Sequence, residues 1–168
     1  MGSLIEKLDE YQILNNLLPG AFFCLMLRFM FDIAFPTNNA FEDIIVYFFV
    51  GLIIGRIGSL CVGKFLEKIR FIKFAPHHEY VQASKIDLKI DTLSAVNNYF
   101  RSLLTSSVIL FIIWIFMLIK LNQVWTWISA NWQGFVVVFL IGLFLFSYRK
   151  QTKFVRDRVE KASTLKKD

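Results

Sequence analysis

Four apolar blocks dominate this chain, running from about Leu17 to Phe35, Ile44 to Gly63, Leu103 to Leu121 and Trp132 to Tyr148. Each is close to the ~20 residues that carry an α-helix across a hydrocarbon core of ~30 Å. The fold class they predict is all-α, a four-helix transmembrane bundle. The first block holds Arg28 and Asp32, but rejecting it as a span would strand a long apolar segment in water. Composition agrees: 56% of the 168 residues are hydrophobic, only 19% are charged, and 19 are phenylalanine. A soluble domain of this size has too little interior to hide so much apolar side chain.

The charges between the blocks orient the bundle. Lys64, Lys68, Arg70, Lys73, Lys85, Lys89 and Arg101 lie between the second and third blocks, and Arg149, Lys150, Lys153, Arg156, Arg158, Lys161, Lys166 and Lys167 follow the fourth. The connection PTNNAFED has no base, and the connection between the third and fourth blocks has only Lys120 at its edge. Lys and Arg collect on the cytoplasmic side, so both termini are expected inside. Trp125, Trp127 and Trp132 mark the outer boundary, and Tyr99 and Tyr148 the inner one. Residues 1–148 form one membrane domain that includes the connection 64–102, and 149–168 form a basic tail. The opening MGSLIEKLDEYQILNN lacks a basic flank and a small-residue cleavage site, so no cleavable signal peptide is expected. Cys24 and Cys61 fall within spans, as buried free thiols.

The polar segments predict a small cytoplasmic platform. Leu4, Leu8, Tyr11, Leu14 and Leu18 recur at helical spacing, and Ser3 and Glu6 have capping-box spacing, which predicts an N-terminal amphipathic helix. Pro19-Gly20 offers a bend into the first span. Past Gly63, Phe65, Leu66, Ile69 and Ile72 oppose Lys64, Lys68, Arg70 and Lys73, so the second span continues as an amphipathic helix until Pro76. KIDLKID, 85–91, alternates as a strand does and is read as an extended loop or an edge that pairs with another chain. Asp91 is placed as the N-cap of a helix from Thr92 to Leu121, about 45 Å long. Its inward face would be Leu93, Val96, Phe100 and Leu104. The basic tail suits anionic lipid, where each base near the surface is worth ~1 kcal/mol. It has no stacking motif, so direct nucleic-acid binding is not expected.

Gly51, Gly55, Ser59 and Gly63 are spaced by four on the second span. Small residues at that spacing let two helix backbones approach closely, within the chain or between copies. Arg56 stands beside this face, within snorkelling reach of the cytoplasmic end. Arg28 and Asp32 are four residues apart, the spacing of an ion pair on one helix. Ionisable groups inside a membrane mark pores, proton paths and gates, so Arg28, Asp32 and Arg56 are the candidate pore or gating residues. Lys68, Arg70, Lys73, Lys85, Lys89, Arg149, Lys150 and Lys153 are the candidate contacts for a cytoplasmic partner or lipid. His77, His78 and Glu79 form the one metal-like cluster and lack further nearby ligands, so no metal or other cofactor is expected. No nucleophile–base pairing or phosphate-loop spacing is present, and the chain is read as not an enzyme.

With these motifs in view, the chain resembles a group of small multi-pass bacterial inner-membrane proteins. NLLPGAFF (16–23), GRIGSL (55–60) and FIKFAPHHEYVQASKIDLKIDTLSAVNNYFRSL (71–103) carry the resemblance, over roughly the first two-thirds of the chain. It implies a bacterial inner-membrane location. Some small four-span proteins of this kind occur with anti-phage defence genes, where a membrane subunit works with a cytoplasmic sensor. The membrane component of Kiwa-type systems is similar in general architecture, though not motif by motif. The leading expectation is an oligomeric membrane subunit, triggered by a soluble partner, that alters membrane integrity or ion flow. A stand-alone small channel or transporter is the alternative, and a passive lipid-binding scaffold a third.

Overall fold

The structure is a computed structural model that describes residues 11, 13–35, 39–121 and 132–164. Residues 4–10 of the expected amphipathic helix, with its Ser3–Glu6 capping pair, and the Trp125–Trp127 segment lie outside the described residues. The described chain is helical throughout, without strands. A wide π turn (Ile13–Leu17) leads into α1 (Leu18–Phe31). Next come α2 (Ala40–Ile57), a second π turn (Gly58–Gly63) and the short α3 (Lys64–Lys68). They are followed by α4 (His77–Ile86), α5 (Lys89–Leu121) and α6 (Trp132–Thr164).

Three helical stretches are long and apolar enough to cross a membrane: Ala40–Lys68, Lys89–Met117 and Gln133–Thr164. The first apolar block gives a shorter helix, Asn15–Phe31, about 25 Å long at 1.5 Å per residue. It ends early because Asp32 adopts the left-handed conformation, φ 54°, and its N–H returns to the Arg28 carbonyl at 3.1 Å. A single left-handed residue of this kind is a helix stop. The predicted Arg28–Asp32 pair is therefore absent: leaving the helix takes the Asp32 side chain off the face that carries Arg28, and among the described residues no ion pair joins them.

The three long helices and α1 nevertheless share one core. Leu27 and Met30 of α1, Ile54 of α2, Leu110 of α5 and Val137 of α6 are buried together. A second cluster of Leu66, Ile72, Leu104 and Tyr148 sits towards the α3 end. A third, Ala83, Ile90, Val159 and Ala162, joins α4 to the far end of α6. Outside the first two clusters the helices present Phe41, Phe49, Leu60, Phe116, Phe139 and Phe146, each at least 59% exposed. In water that belt would be an aggregation surface; against acyl chains it is matched to its surroundings.

Close approach of α2 to its neighbours depends on small residues. A Cβ on Gly20 would stand 1.7 Å from the Tyr47 carbonyl oxygen, and one on Gly51 would stand 1.8 Å from the Asn16 carbonyl oxygen. The α1 end of the chain thus lies backbone against backbone on α2. On α5, where Thr105 faces Gly58, Thr105, Ser106 and Ser107 donate their hydroxyls to the carbonyls of Arg101, Ser102 and Leu103 at 2.8, 3.0 and 3.0 Å. Each hydroxyl is satisfied within its own helix, which leaves a slim polar face fit for burial.

Several local expectations are corrected. Pro19 occupies the first turn of α1, where a missing N–H costs little. Its ring would crowd the carbonyl four residues back, and the wide turn Ile13–Leu17 relieves that contact. The helix after Gly63 stops at Lys68 instead of running to Pro76. Arg70 has φ 57°, with Arg70 N–H on the Glu67 carbonyl and Phe71 N–H on that of Leu66, both at 2.9 Å. This is the Schellman pattern, sealed by Leu66 and Phe71 packing in one cluster. Phe65 and Ile69 are consequently exposed, whereas Leu66 and Ile72 are buried. Pro76 precedes α4 and so starts a helix.

KIDLKID is neither strand nor extended loop. It is the end of α4, a turn at Asp87–Leu88 and the start of α5. The Asp87 carboxylate accepts the Lys89 N–H at 3.0 Å, so Asp87 opens α5, and Asp91 sits in its first turn, accepting the Tyr80 hydroxyl at 3.1 Å. Cys24 is buried as a free thiol, but Cys61 is exposed on the apolar belt.

Candidate functional site

The candidate residues fall into three places. At the end where α1 stops and α2 starts, Arg28, Asn39, Asp43 and Tyr47 line a cleft of about 260 Å³ together with Cys24 and Phe35. Asn39 builds its rim: its side-chain oxygen accepts the Glu42 N–H at 3.0 Å and its amide donates to the Glu42 carboxylate at 3.0 Å, a reciprocal N-cap. Asp32 is exposed beyond this cleft and does not line it.

The second cleft, about 320 Å³, lies between the opening π turn, α2 and α5. Arg56 and Gly55 face it from α2, Ser59 from the second π turn, Arg101 and Asn98 from α5, and Asn15 from the opening π turn. Arg28 and Arg56 therefore belong to different clefts. They stand 28 residues apart in the sequence, on two helices, with the buried Phe23, Leu27, Met30, Ile54 and Leu110 between the clefts. Arg28, Asp32 and Arg56 are not brought together.

The small-residue ladder is redistributed. Gly51 packs on Asn16, while Gly55 is half-buried beside Ser102, whose Oγ would be 3.7 Å from an added Cβ. Gly58 is the next closely packed position, since a Cβ there would stand 2.6 Å from Thr105 Oγ1. Ser59 is half-buried at the cleft. Beyond Gly58 the π turn changes the phase: its i→i+5 bonding carries the stripe from Gly58 to Gly63 in a five-residue step. At Gly63 an added Cβ would lie 3.6 Å from Arg101 Cδ and 3.7 Å from the Tyr148 hydroxyl. Gly58 and Arg101 were not singled out from the sequence. Their signal was there, in a second register of glycines and in a base placed next to a polar helix face.

The third place is the platform of α3, α4 and the outer ends of α5 and α6. Lys68, Arg70, Lys73, Lys85, Lys89, Arg149, Lys150 and Lys153 are all exposed. Arg149 is held over the Phe71 ring, 4.6 Å from its centroid. Across 64–102 and 149–164 there are 13 Lys and Arg against six Asp and Glu. Among the bases stand exposed Ile86 (54%), Leu88 (70%) and Phe154 (56%). The platform is tied together by Arg158, whose Nε donates to Asp87, and by a buried bridge in which the Thr152 hydroxyl lies 2.9 Å from Asn97 Oδ1 and 2.8 Å from the Tyr148 carbonyl. The Arg158 guanidinium holds the Asp87 carboxyl below its ordinary range, helped by the Lys89 N–H. Burial first, and then Asp91, raise the Tyr80 phenol above its ordinary value, with Ser94 opposing them.

In the first turn of α4 His77 and His78 are exposed and Glu79 half-buried, and among the described residues no group of three metal-binding side chains converges. No family model, curated protein or solved structure matches the chain.

Proposed function

We propose that this chain is the membrane-resident subunit of a complex. All four apolar helices lie in a bacterial inner membrane, both termini face the cytoplasm, and the platform receives a soluble partner. The observation that carries this reading is the platform surface: a basic face with exposed Ile86, Leu88 and Phe154 set beyond the apolar belt, on a base with its own buried cluster. Lipid does not account for large apolar side chains there, and such groups rimmed by charge suit a protein interface. The charge selects a partner with an acidic face. Resemblance to four-span proteins found with anti-phage genes extends the reading to a partner-triggered effector that acts on membrane integrity or ion flow, without catalysis or cofactor.

A pore within one copy is the less favoured reading. The two clefts that hold Arg28 and Arg56 are divided by the apolar core. A conducting path would have to form between copies, and exposed faces of the four helices supply the contact. The test is the particle mass of the protein in native membrane extract, compared with a Lys85→Glu, Lys89→Glu, Lys153→Glu variant. The wild type should run well above the 19.7 kDa monomer with its detergent, and charge reversal should release a soluble component. Identical monomeric masses for both would end this reading.

A further inference from the structure

We propose that the cleft between the opening π turn, α2 and α5 binds a phosphate group, carried by a phospholipid headgroup in the adjoining leaflet or by a soluble phosphate. Two guanidiniums, Arg56 and Arg101, line it with Asn15, Asn98 and Ser59, and among the described residues no carboxylate does. Neither arginine has an ion-pair partner among the described residues. Arg101 is packed along Gly58 and Gly63, with its Nε buried and without a hydrogen-bond partner. Within the chain the Arg101 guanidinium interacts with the Tyr148 hydroxyl, a neutral group, so with its Nε unpaired its charge is left to an anionic acceptor from outside the chain. Arg56 is exposed and free to close on such a group from the other side. Paired guanidiniums are the side chains best shaped to hold phosphate oxygens bidentately.

The space is real. Gly20, Gly51 and Gly58 are filled by neighbouring atoms, whereas Gly55 meets only Ser102 Oγ at 3.7 Å and keeps the cleft open. Its volume of about 320 Å³ is roughly ten times a water's ~30 Å³ share of liquid. The level is also right. Arg101 is the last base before the charge-free run 102–119 of α5, and Arg149 follows directly on the apolar part of α6, with Tyr148 against Gly63 between them. The cleft therefore opens at the rim of the apolar belt, where headgroup phosphates lie. Asn15 Oδ1, buried without a partner while its amide donates to the Tyr11 carbonyl at 3.0 Å, adds an acceptor for a headgroup hydroxyl or ammonium.

This inference rests on the membrane placement proposed above and not on the soluble partner. The test reconstitutes the full chain in nanodiscs of phosphatidylcholine with a minor fraction of phosphatidylglycerol, then counts retained lipid by native mass spectrometry. Wild type should retain phosphatidylglycerol selectively, and a Lys150→Gln, Lys153→Gln tail control, which removes two of the candidate lipid contacts outside the cleft, separates the two sites by keeping that selectivity. Arg56→Gln should retain about tenfold less, the lower end expected for loss of one charged donor. Arg101 is packed against glycines and its variant can misfold, so the exposed Arg56 carries the decision. In a second arm, inorganic phosphate is added to the detergent-solubilised chain. A rise in melting temperature for wild type but not Arg56→Gln identifies a soluble phosphate as the source. Equal lipid retention and equal phosphate response in wild type and Arg56→Gln would overturn the site. So would retention lost only in the tail control. A chain that fails to enter the nanodisc overturns the membrane placement instead, and the phosphate arm still decides the cleft.

Discussion

Two alanine substitutions one turn apart on α2 should have opposite effects. At Gly51 a Cβ would stand 1.8 Å from the Asn16 carbonyl oxygen and 2.6 Å from its carbonyl carbon, where 3.0 Å is the practical limit. The obstacle is backbone, so no side-chain rotation relieves it, and the π turn must lift off α2. Overpacking of a well-filled site costs ~1–3 kcal/mol, with rigid obstacles at the upper end. Alanine returns up to ~1 kcal/mol of helix propensity, leaving a net loss of ~2 kcal/mol for Gly51→Ala. At Gly55 the nearest atom is Ser102 Oγ at 3.7 Å, an ordinary contact. Gly55→Ala therefore keeps the propensity gain and should stabilise by up to ~1 kcal/mol. The assay is unfolding in mixed micelles by titration with sodium dodecyl sulfate, followed by tryptophan fluorescence. If the two variants lie within ~0.5 kcal/mol of each other, the scatter of neutral substitutions, the assigned packing of Gly51 is wrong.

Other expectations concern the platform. Thr152→Val removes the hydroxyl that bridges Asn97 Oδ1 and the Tyr148 carbonyl. The Asn97 side chain is buried, so the loss should be ~1–3 kcal/mol in the same titration; an unchanged midpoint would show that the bridge contributes nothing. The Asp87–Arg158 link adds a pH dependence of known sign. Because the Asp87 carboxyl is held below its ordinary value, its contribution is complete above that value and fades as pH falls through the lowered one, below about pH 4. Protection against hydrogen exchange at the Asp87–Ile90 turn, taken relative to the intrinsic rate at each pH, should fall in that acid window in the wild type, and Asp87→Asn should abolish the change. Protection that is unaffected by acid in the wild type would dispose of the link.

Much of the architecture was legible because lipid imposes simple demands on sequence. The long apolar blocks became helices, and Leu104, expected on the inward face of α5, is 2% exposed. What was not legible depended on single residues whose local chemistry outweighs a pattern. Asp32 and Arg70 adopt left-handed backbone that an Asp or Arg seldom takes, so neither helix end carried the glycine that usually announces it. The buried stripe runs through Gly51, Gly58 and Gly63: the first step is the seven residues of two α-helical turns, the second the five residues of the π turn, and a periodicity of four contains neither. KIDLKID alternates over too few residues to tell a strand from a turn between two helices. Ile86 and Leu88 emerge exposed and Ile90 fully buried because Asp87 caps a new helix there. The phosphate cleft was half visible: Arg56 stood out as an intramembrane charge, but Arg101 was counted with the loop bases because its position opposite Gly58 and Gly63 is a matter of tertiary packing.

Placement in the membrane is the claim on which both proposals stand, and cysteine accessibility in intact cells tests it most directly. In a chain lacking Cys24 and Cys61, single cysteines replace the exposed Ala40, Lys85 and Lys161. With four crossings and both termini inside, a membrane-impermeant maleimide labels Ala40→Cys in intact cells, and labels Lys85→Cys and Lys161→Cys only after the membrane is opened. Labelling of Lys85→Cys in intact cells would contradict the orientation. Differing accessibility of Lys85→Cys and Lys161→Cys would contradict the shared platform.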